Sequence, residues 1–265
     1  MKKTFMINRF FSVAAVSFLC SFSFGVSAFD FGVFGERGVV SNEDPKTFPF
    51  WGMDNFNDSK VVLKEITKMS PKSFYCDCDI NFSNNGKKLS FDFSSCGFKY
   101  RKNESRANRA EAEHIVPISW YGKKLRCWQN GGRKNCERTS ADFRRAEADL
   151  VNLQYAIGEV NGDRSDYRYG QWSGDFGRVY GACDAKIDFK NRRFEPRQEI
   201  RGWIARVHYY MYSKYGVELS KQQKQLMSTW IKIEPTKWEC DYNNELKRRF
   251  GSGAGNPYTD RVCLN

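Results

Sequence analysis

The residues best suited to chemistry are a carboxylate and an imidazole that stand side by side in this sequence. Glu113 and His114 lie in the stretch EAEHIVPISW, just ahead of Pro117. β-Branched residues here predict a short strand that the proline ends, and neighbours on a strand point to opposite faces. A histidine with a pKa of about 6.5 is a suitable general base. The second histidine, His208, lies in the aromatic stretch RVHYYMYSKY, where we predict a structural position.

Two further segments offer groups that would complete a site. Arg133 lies in GGRKNC, where a guanidinium can contact a phosphate through two hydrogen bonds, although a solvated basic loop is the ordinary alternative. Asn161 lies in AIGEVNGDRSD, where its amide oxygen can bind a hard cation, although a residue that caps a helix C-terminus is the alternative. A carboxylate with an amide oxygen suits Mg²⁺ or Ca²⁺, which take further ligands from water and substrate phosphates.

Together these four residues indicate hydrolysis of a phosphodiester. We expect His114 to deprotonate a water molecule that attacks phosphorus in line, and Arg133 to hold a phosphate oxygen. A metal on Glu113 and Asn161 would stabilise the added negative charge and the leaving 3′ oxygen. Two alternatives use fewer of these groups. An exported glycoside hydrolase would use Glu113 as general acid with a second carboxylate, and a non-catalytic polyanion-binding protein would need only basic and aromatic residues.

The elements that must position these residues are short in the first half of the chain. Helical spacing of apolar residues predicts a helix over residues 58–70. The segment 73–100 reads as strands around a turn at Asn85-Gly86. We predict a loop over residues 121–136, with Arg133 on its Gly-rich tip.

Helices dominate the second half. Leu150, Leu153, Ile157 and Val160 recur at helical spacing and predict one helix that ends at Asn161-Gly162. Three more helices are predicted on QEIRGWIARVHYYMYSKYG, LSKQQKQLMSTWIKIEP and WECDYNNELKRRFG. The predicted fold class is therefore α+β, with mixed short strands and helices.

The N-terminal segment predicts export. Residues 1–28 carry three basic residues and no acid, and an apolar stretch then ends in VSA. This pattern is typical of a cleaved secretory signal peptide, and the apolar run is short for a membrane span. We expect residues 29–265 to form a single domain in the periplasm or outside the cell, without membrane contact. We also expect a monomer.

The cysteines fit an exported chain. Apart from Cys20 of the signal segment, an even number remains, which predicts four disulfides. Only the pairing of Cys127 with Cys136 is suggested by closeness, and the other pairings stay open. A structural zinc site is the alternative, but the CDC spacing is too short for usual zinc ligands. The eight cysteines are Cys76, Cys78, Cys96, Cys127, Cys136, Cys183, Cys240 and Cys263.

The net positive charge of the chain indicates which class of molecule it binds. The formal net charge is +12, which favours a polyanion such as nucleic acid, an acidic polysaccharide or an anionic membrane surface. A non-specific binder of nucleic acid needs basic residues because contacts to the phosphate backbone supply its affinity. The leading candidates are Arg133, Lys134, Arg109 and Arg164, followed by Arg101, Lys102 and Arg106.

Four stretches resemble the bacterial endonuclease I family: EAEHIVPISW, CWQNGGRKNC, EADLVNLQYAIGEVNGDRS and ELSKQQKQLM. The likeness covers most of the chain after about residue 73. It implies a ββα-metal (His-Me finger) site with Glu113 and Asn161 on Mg²⁺, or on Ca²⁺ or Mn²⁺, with His114 as general base and Arg133 on phosphate. It also implies a sequence-non-specific nuclease that acts on DNA and often RNA, leaves 5′-phosphate ends and contains four disulfides.

Overall fold

The structure is a computed structural model and describes residues 53–263. The predicted signal peptide, residues 1–28, lies outside the described residues, as does the segment 29–52. None of the helices between residues 53 and 263 has the length and apolar character needed to cross a bilayer.

The helices are α1 (Phe56–Thr67), α2 (Glu104–Ala107), α3 (Ile118–Gly122), α4 (Arg126–Gln129), α5 (Gly132–Thr139), α6 (Ala141–Glu147), α7 (Gly158–Arg164), α8 (Arg201–Tyr215), α9 (Lys221–Trp230), α10 (Lys237–Phe250) and α11 (Pro257–Cys263). The strands are β1 (Asp79–Ser83), β2 (Lys88–Asp92), β3 (Ala110–His114), β4 (Leu153–Ile157), β5 (Arg168–Tyr169), β6 (Lys186–Asp188) and β7 (Arg193–Glu195). The α+β prediction is confirmed.

The first helix and the first hairpin form where the sequence predicts them. The Asn55 side chain accepts a hydrogen bond from the backbone N–H of Asn57 and so caps α1. Strands β1 and β2 pair antiparallel around a turn in which Asn84, Asn85 and Gly86 have φ of 54°, 54° and 80°. Asn and Gly tolerate this left-handed conformation better than other residues, which explains the position of the turn.

The central unit consists of β3, β4 and α7. The two strands pair antiparallel, with Glu113 opposite Gln154 and His114 opposite Leu153, and α7 follows β4 directly. This β–β–α arrangement is consistent with the ββα-metal finger that the resemblance implies. Strand β3 ends at His114, close to the predicted strand end before Pro117.

The prediction of one long helix before Asn161 was wrong. Residues 150–152 form a single 3₁₀ turn, residues 153–157 form β4, and only residues 158–164 are helical. Every residue of β4 is buried. A strand that is buried on both faces lacks a regular alternation of polar and apolar residues, so its spacing cannot be distinguished from that of a buried helix. Pairing with β3 decides between them, because the backbone groups of β3 need partners.

The loop predicted over residues 121–136 was also wrong in part. It contains the whole of α4 and the first turns of α5, separated by Gly131 and Gly132 with φ of 133° and 65°. The Cys127–Cys136 disulfide joins these two helices. Arg133 therefore lies in the first turn of a helix that a covalent bond holds in place, and not on a flexible tip.

Three later helices agree with prediction and supply much of the core. Gly216 ends α8 with a φ of 64°, and the Ser220 side chain caps α9 by accepting from the Gln223 N–H. Trp203 of α8 is buried among other aromatic residues, and the buried Tyr210 donates a hydrogen bond to Asp149. His208, on the same helix, is buried too and its ring contacts aromatic rings rather than the cleft described below. Its structural position is as predicted.

Four disulfides are present among the described residues, as predicted, and no zinc cluster replaces them. The Cys127–Cys136 pair is the one suggested by closeness. The others, which the spacing left open, join Cys76 to Cys183, Cys78 to Cys96 and Cys240 to Cys263. The first of these spans 107 residues, so it restricts the unfolded chain far more than the local bridges do.

A buried ion pair joins α8 to α10. Arg206 donates through Nε and Nη2 to both carboxylate oxygens of Glu239, each at 2.6 Å, and both side chains are almost fully buried. The guanidinium also donates to the backbone carbonyls of Ile231 and Ile233. Removal of the carboxylate would leave a buried charge without its counter-ion, which is costly.

We therefore expect Glu239→Ala to lower the free energy of unfolding by about 3–5 kcal/mol, because Arg206 loses its counter-ion in a buried setting. Urea unfolding with the disulfides intact, followed by circular dichroism, measures this. The matched control is Asp241→Ala on the same helix, which breaks an exposed pair with Lys237 and should cost below about 1 kcal/mol. Equal losses for the two variants would contradict the assigned importance of the buried pair.

Candidate active site

One cleft contains all four residues that the sequence predicts for the site. Its volume is about 630 Å³, and it lies where β3, α5 and α7 meet. Glu113 and His114 are the last two residues of β3, Arg133 lies in α5 and Asn161 in α7. Both residues of the Glu-His pair line the cleft although they are neighbours on a strand, because the strand ends there.

The Glu113 carboxylate is buried, and one of its two oxygens is used inside the protein. Oε1 accepts hydrogen bonds from the Tyr75 hydroxyl at 2.8 Å and from Arg164 Nη1 at 2.9 Å. No described residue donates to Oε2. Burial raises the pKa of Glu113, while the charge of Arg164 opposes that rise by favouring the ionised form. The second oxygen is thus free to bind a group in the cleft.

Asn161 is oriented by a second carboxylate. Its Nδ2 donates to Oε2 of Glu111 at 3.1 Å, which leaves the amide oxygen Oδ1 without a donor among the described residues. Glu111 is itself held by two hydrogen bonds from Arg106, at 3.1 and 2.8 Å, and by an ion pair with Arg109. This chain of contacts fixes the direction of the amide, with its oxygen free.

These oxygens fit a hard divalent cation. Glu113 supplies an anionic oxygen and Asn161 a neutral one, and both side chains line the same cleft. No cluster of three or more His, Cys, Asp or Glu that could hold a metal occurs between residues 53 and 263. Two protein oxygens, with water and substrate phosphate as the remaining ligands, match the usual coordination of Mg²⁺.

The His114 imidazole is held as a neutral base. Its Nε2 lies 2.8 Å from the backbone carbonyl oxygen of Glu147. Since a carbonyl only accepts, Nε2 carries the proton and the lone pair lies on Nδ1. Phe56 stacks on the ring with centroids 5.0 Å apart. Burial, with the nearby charge of Arg133, lowers the pKa of His114 to about 3, so the ring stays neutral at physiological pH.

Arg133 is anchored through one nitrogen. Its Nε donates to Glu147 Oε1 at 2.5 Å and to Glu137 Oε1 at 3.2 Å, and the guanidinium lies 5.2 Å from the Phe56 ring centre. No described residue accepts from Nη1 or Nη2. Burial raises the pKa of Glu147 to about 7. Glu147 therefore fixes two functional residues at once, His114 through its backbone and Arg133 through its side chain.

The predicted nucleic-acid contact at Arg164 requires correction. Arg164 is only 1% exposed, and its Nη atoms donate to Glu113 and to the backbone carbonyls of His114 and Ile115. These contacts use the Nη hydrogen-bond donors of the guanidinium inside the protein. Arg164 is thus a residue that positions Glu113 and the end of β3, and it is not an exposed contact for a phosphate backbone.

The other predicted nucleic-acid contacts differ in their exposure and in their ion pairs. Lys134 is exposed next to Arg133, and the Arg109 side chain is 61% exposed beside the cleft. This exposure leaves their contact with a polyanion a prediction. Arg106 lines the cleft but is bound to Glu111, and Arg101 is bound to Asp163 through two hydrogen bonds. Lys102 is exposed outside the cleft.

Sequence reasoning missed the residues that hold the site in place. Glu111 is detectable in principle, since it precedes Glu113 by two and so shares its face of the strand. Tyr75, Phe56 and Glu147 carry no such signal, because each reaches the site only through the tertiary fold. The functional groups were detectable by type, whereas their supporting contacts were not.

Comparison with known proteins shows the family of this chain. The Endonuclease I family profile matches residues 58–263. A periplasmic deoxyribonuclease of Aeromonas hydrophila is 44% identical over 212 residues, which cover 78% of this chain and 86% of the relative. An Endonuclease-1 of Buchnera aphidicola is 45% identical over 190 residues, covering 71% and 74%. An extracellular endonuclease of Pseudomonas fluorescens is 28% identical over 210 residues, covering 75% and 84%. The chain belongs to the endonuclease I family and is an endonuclease.

Proposed function

We propose that this protein is a metal-dependent, sequence-non-specific endonuclease that hydrolyses phosphodiester bonds of DNA, and also of RNA, to 5′-phosphate products. The observation that carries the proposal is the single cleft in which Glu113, His114, Arg133 and Asn161 meet. A neutral imidazole, a guanidinium with unpaired Nη atoms and two unpaired side-chain oxygens line this one volume, which supports the proposal. Such a set matches hydrolysis at phosphorus.

His114 acts as the general base. Its Nδ1 takes a proton from the attacking water, while the Glu147 carbonyl holds Nε2–H and keeps the ring in this tautomer. The imidazolium that forms lies near Arg133 and within a buried setting, so it returns its proton readily. The low pKa of His114 describes the cleft without substrate, and a phosphate there adds negative charge that favours proton uptake.

Arg133 binds the substrate through its free Nη atoms. A guanidinium matches the geometry of two phosphate oxygens, and its contact with Glu147 restricts its motion before substrate arrives. Glu113 and Asn161 would hold the divalent cation, for which we propose Mg²⁺, with Ca²⁺ or Mn²⁺ as alternatives. When bound, such a cation stabilises the charge that develops on the phosphate and on the leaving 3′ oxygen.

Nucleic acid is proposed as the substrate because of the net charge of the chain and the names of its relatives. The chain has a net charge of +12, and Lys134 and Arg109 offer exposed cations beside the cleft. Contacts to the phosphate backbone do not read the base sequence, which fits a non-specific enzyme. Two of the related proteins bear the names periplasmic and extracellular deoxyribonuclease.

The protein is periplasmic or extracellular. The names of its relatives agree with this place, and four disulfides are typical of proteins that fold in an oxidising compartment. We propose that it acts there as a monomer, free of the membrane once the signal peptide of residues 1–28 has been removed.

The two other functions use less of this cleft. A glycoside hydrolase needs a pair of acids, but Glu113 is paired with Arg164, and Glu111 is paired with Arg106 and Arg109. A polyanion-binding protein would have no use for a buried imidazole with a defined tautomer. Cleavage of plasmid DNA that EDTA abolishes separates these three classes.

We expect His114→Ala to reduce the rate of DNA cleavage by about 10²–10⁴-fold, because no other described group in the cleft offers a neutral nitrogen base. DNA affinity should be unchanged. A plasmid nicking assay, with binding measured by fluorescence anisotropy, checks both. The matched control is His208→Phe, which changes the second histidine of the chain and should retain activity. Full activity of His114→Ala would disprove the general-base role.

We expect Asn161→Ala to raise the Mg²⁺ concentration that gives half-maximal cleavage by at least about tenfold, since one of two protein ligands is lost. A Mg²⁺ titration of plasmid cleavage measures the shift, and excess EDTA should abolish cleavage by the unmodified enzyme. Asn130→Ala, an exposed residue outside the cleft, is the control and should leave the titration unchanged. An identical Mg²⁺ response in both variants would place the metal elsewhere.

A further inference from the structure

A second and larger cavity lies next to the active-site cleft. Its volume is about 820 Å³, against about 630 Å³ for the cleft. Asp166 lines both cavities, so the two are neighbours around one residue. No part of the hydrolytic chemistry proposed above uses this second cavity, which we call the side groove.

The side groove is basic. Five basic residues and two acidic ones line it, the acids being Asp166 and Glu218. Amide side chains, which can donate to phosphate oxygens, account for much of the remainder. None of its basic residues was among the candidates that the sequence suggested. They are Lys123, Lys124, Arg168, Arg192 and Arg193.

The negative charge of Asp166 is neutralised by two cations, so the groove stays basic. Lys123 Nζ lies 2.9 Å from Asp166 Oδ2, and Arg192 Nη2 lies 2.5 Å from Oδ1. These two cations keep the pKa of Asp166 below its usual range. The same contacts tie the segment after α3 to the turn before β7, and therefore fix the two sides of the groove relative to each other.

Several of the cations remain available. Arg168 is exposed and makes no side-chain hydrogen bond or ion pair with a described residue. The Lys124 side chain is 51% exposed, and its contacts are long, at 3.8 Å to the exposed Glu218 and 3.4 Å to the Gly216 carbonyl oxygen. Arg192 is held over the Tyr167 ring at 4.8 Å, yet its side chain is 63% exposed. An exposed cation that is held in place loses little freedom when it binds phosphate.

We infer that the side groove binds the phosphodiester backbone of the nucleic acid that flanks the scissile bond. This inference rests on the proposed function. A polymer that crosses the cleft must continue on either side of it, and the side groove is a basic surface directly adjoining the cleft at Asp166. It extends the binding surface by several nucleotides and contributes affinity without sequence preference.

The test uses the double variant Arg168→Gln, Lys124→Gln in the full chain. Neither residue lines the catalytic cleft or contacts Asp166, so kcat should be unchanged. The KM for long duplex DNA should rise about tenfold or more. The slope of log affinity against log salt should become shallower by nearly two, because each phosphate contact contributes about 0.9. A duplex too short to leave the cleft should be cut as before.

The matched control is Lys88→Gln, Arg261→Gln, which removes the same two charges from exposed positions that line neither cavity. If the groove variant and this control share one KM and one salt slope, the side groove does not bind the backbone, although the enzyme still cuts DNA. If the unmodified protein fails to cut DNA in the presence of Mg²⁺, both the proposed function and this inference are wrong.

Discussion

The buried pair between Arg164 and Glu113 is the interaction on which the site depends. Arg164 is the last residue of α7, and its guanidinium binds Glu113 Oε1 and the backbone carbonyls of His114 and Ile115. One side chain thus joins the helix that carries Asn161 to the strand end that carries the Glu-His pair. Because Arg164 and Tyr75 occupy Oε1, Oε2 is left to face the cleft. A buried pair of this kind contributes defined geometry more clearly than net stability.

A second set of contacts holds His114 and Arg133, the proposed base and phosphate-binding residue, from the other side of the cleft. Glu147 accepts from His114 through its backbone oxygen and from Arg133 through its carboxylate. Phe56 lies against both the imidazole and the guanidinium. The disulfide between Cys127 and Cys136 fixes the start of α5, where Arg133 lies. Each of the four proposed site residues is therefore positioned by a partner outside the proposed chemistry, which would lower the cost of organising the site when substrate binds.

The sequence was enough to select the four residues that meet in the cleft, but not the residues that hold them in place. Glu113, His114, Arg133 and Asn161 could be found because their types and neighbours indicate a reaction, and the structure brings them together. The strand β4 could not be found, since a strand buried on both faces has no alternation to distinguish it from a helix. The role of Arg164 was misjudged for a related reason. A basic residue in a sequence looks exposed by default, and only the tertiary fold shows the carboxylate that brings it inside. The same limit hid the side groove, whose cations come from distant parts of the chain.

In the proposed mechanism a divalent cation binds to two protein atoms, Glu113 Oε2 and Asn161 Oδ1, and His114 lies outside its ligand shell. The most direct test is a crystal structure of the full mature chain with Mn²⁺ and a short duplex that carries a non-hydrolysable linkage. Anomalous scattering would locate the ion. We expect it between these two oxygens, completed by water and phosphate oxygens, with Nδ1 of His114 directed at a water near phosphorus. An ion bound by the imidazole, or one located away from Glu113, would disprove this metal site.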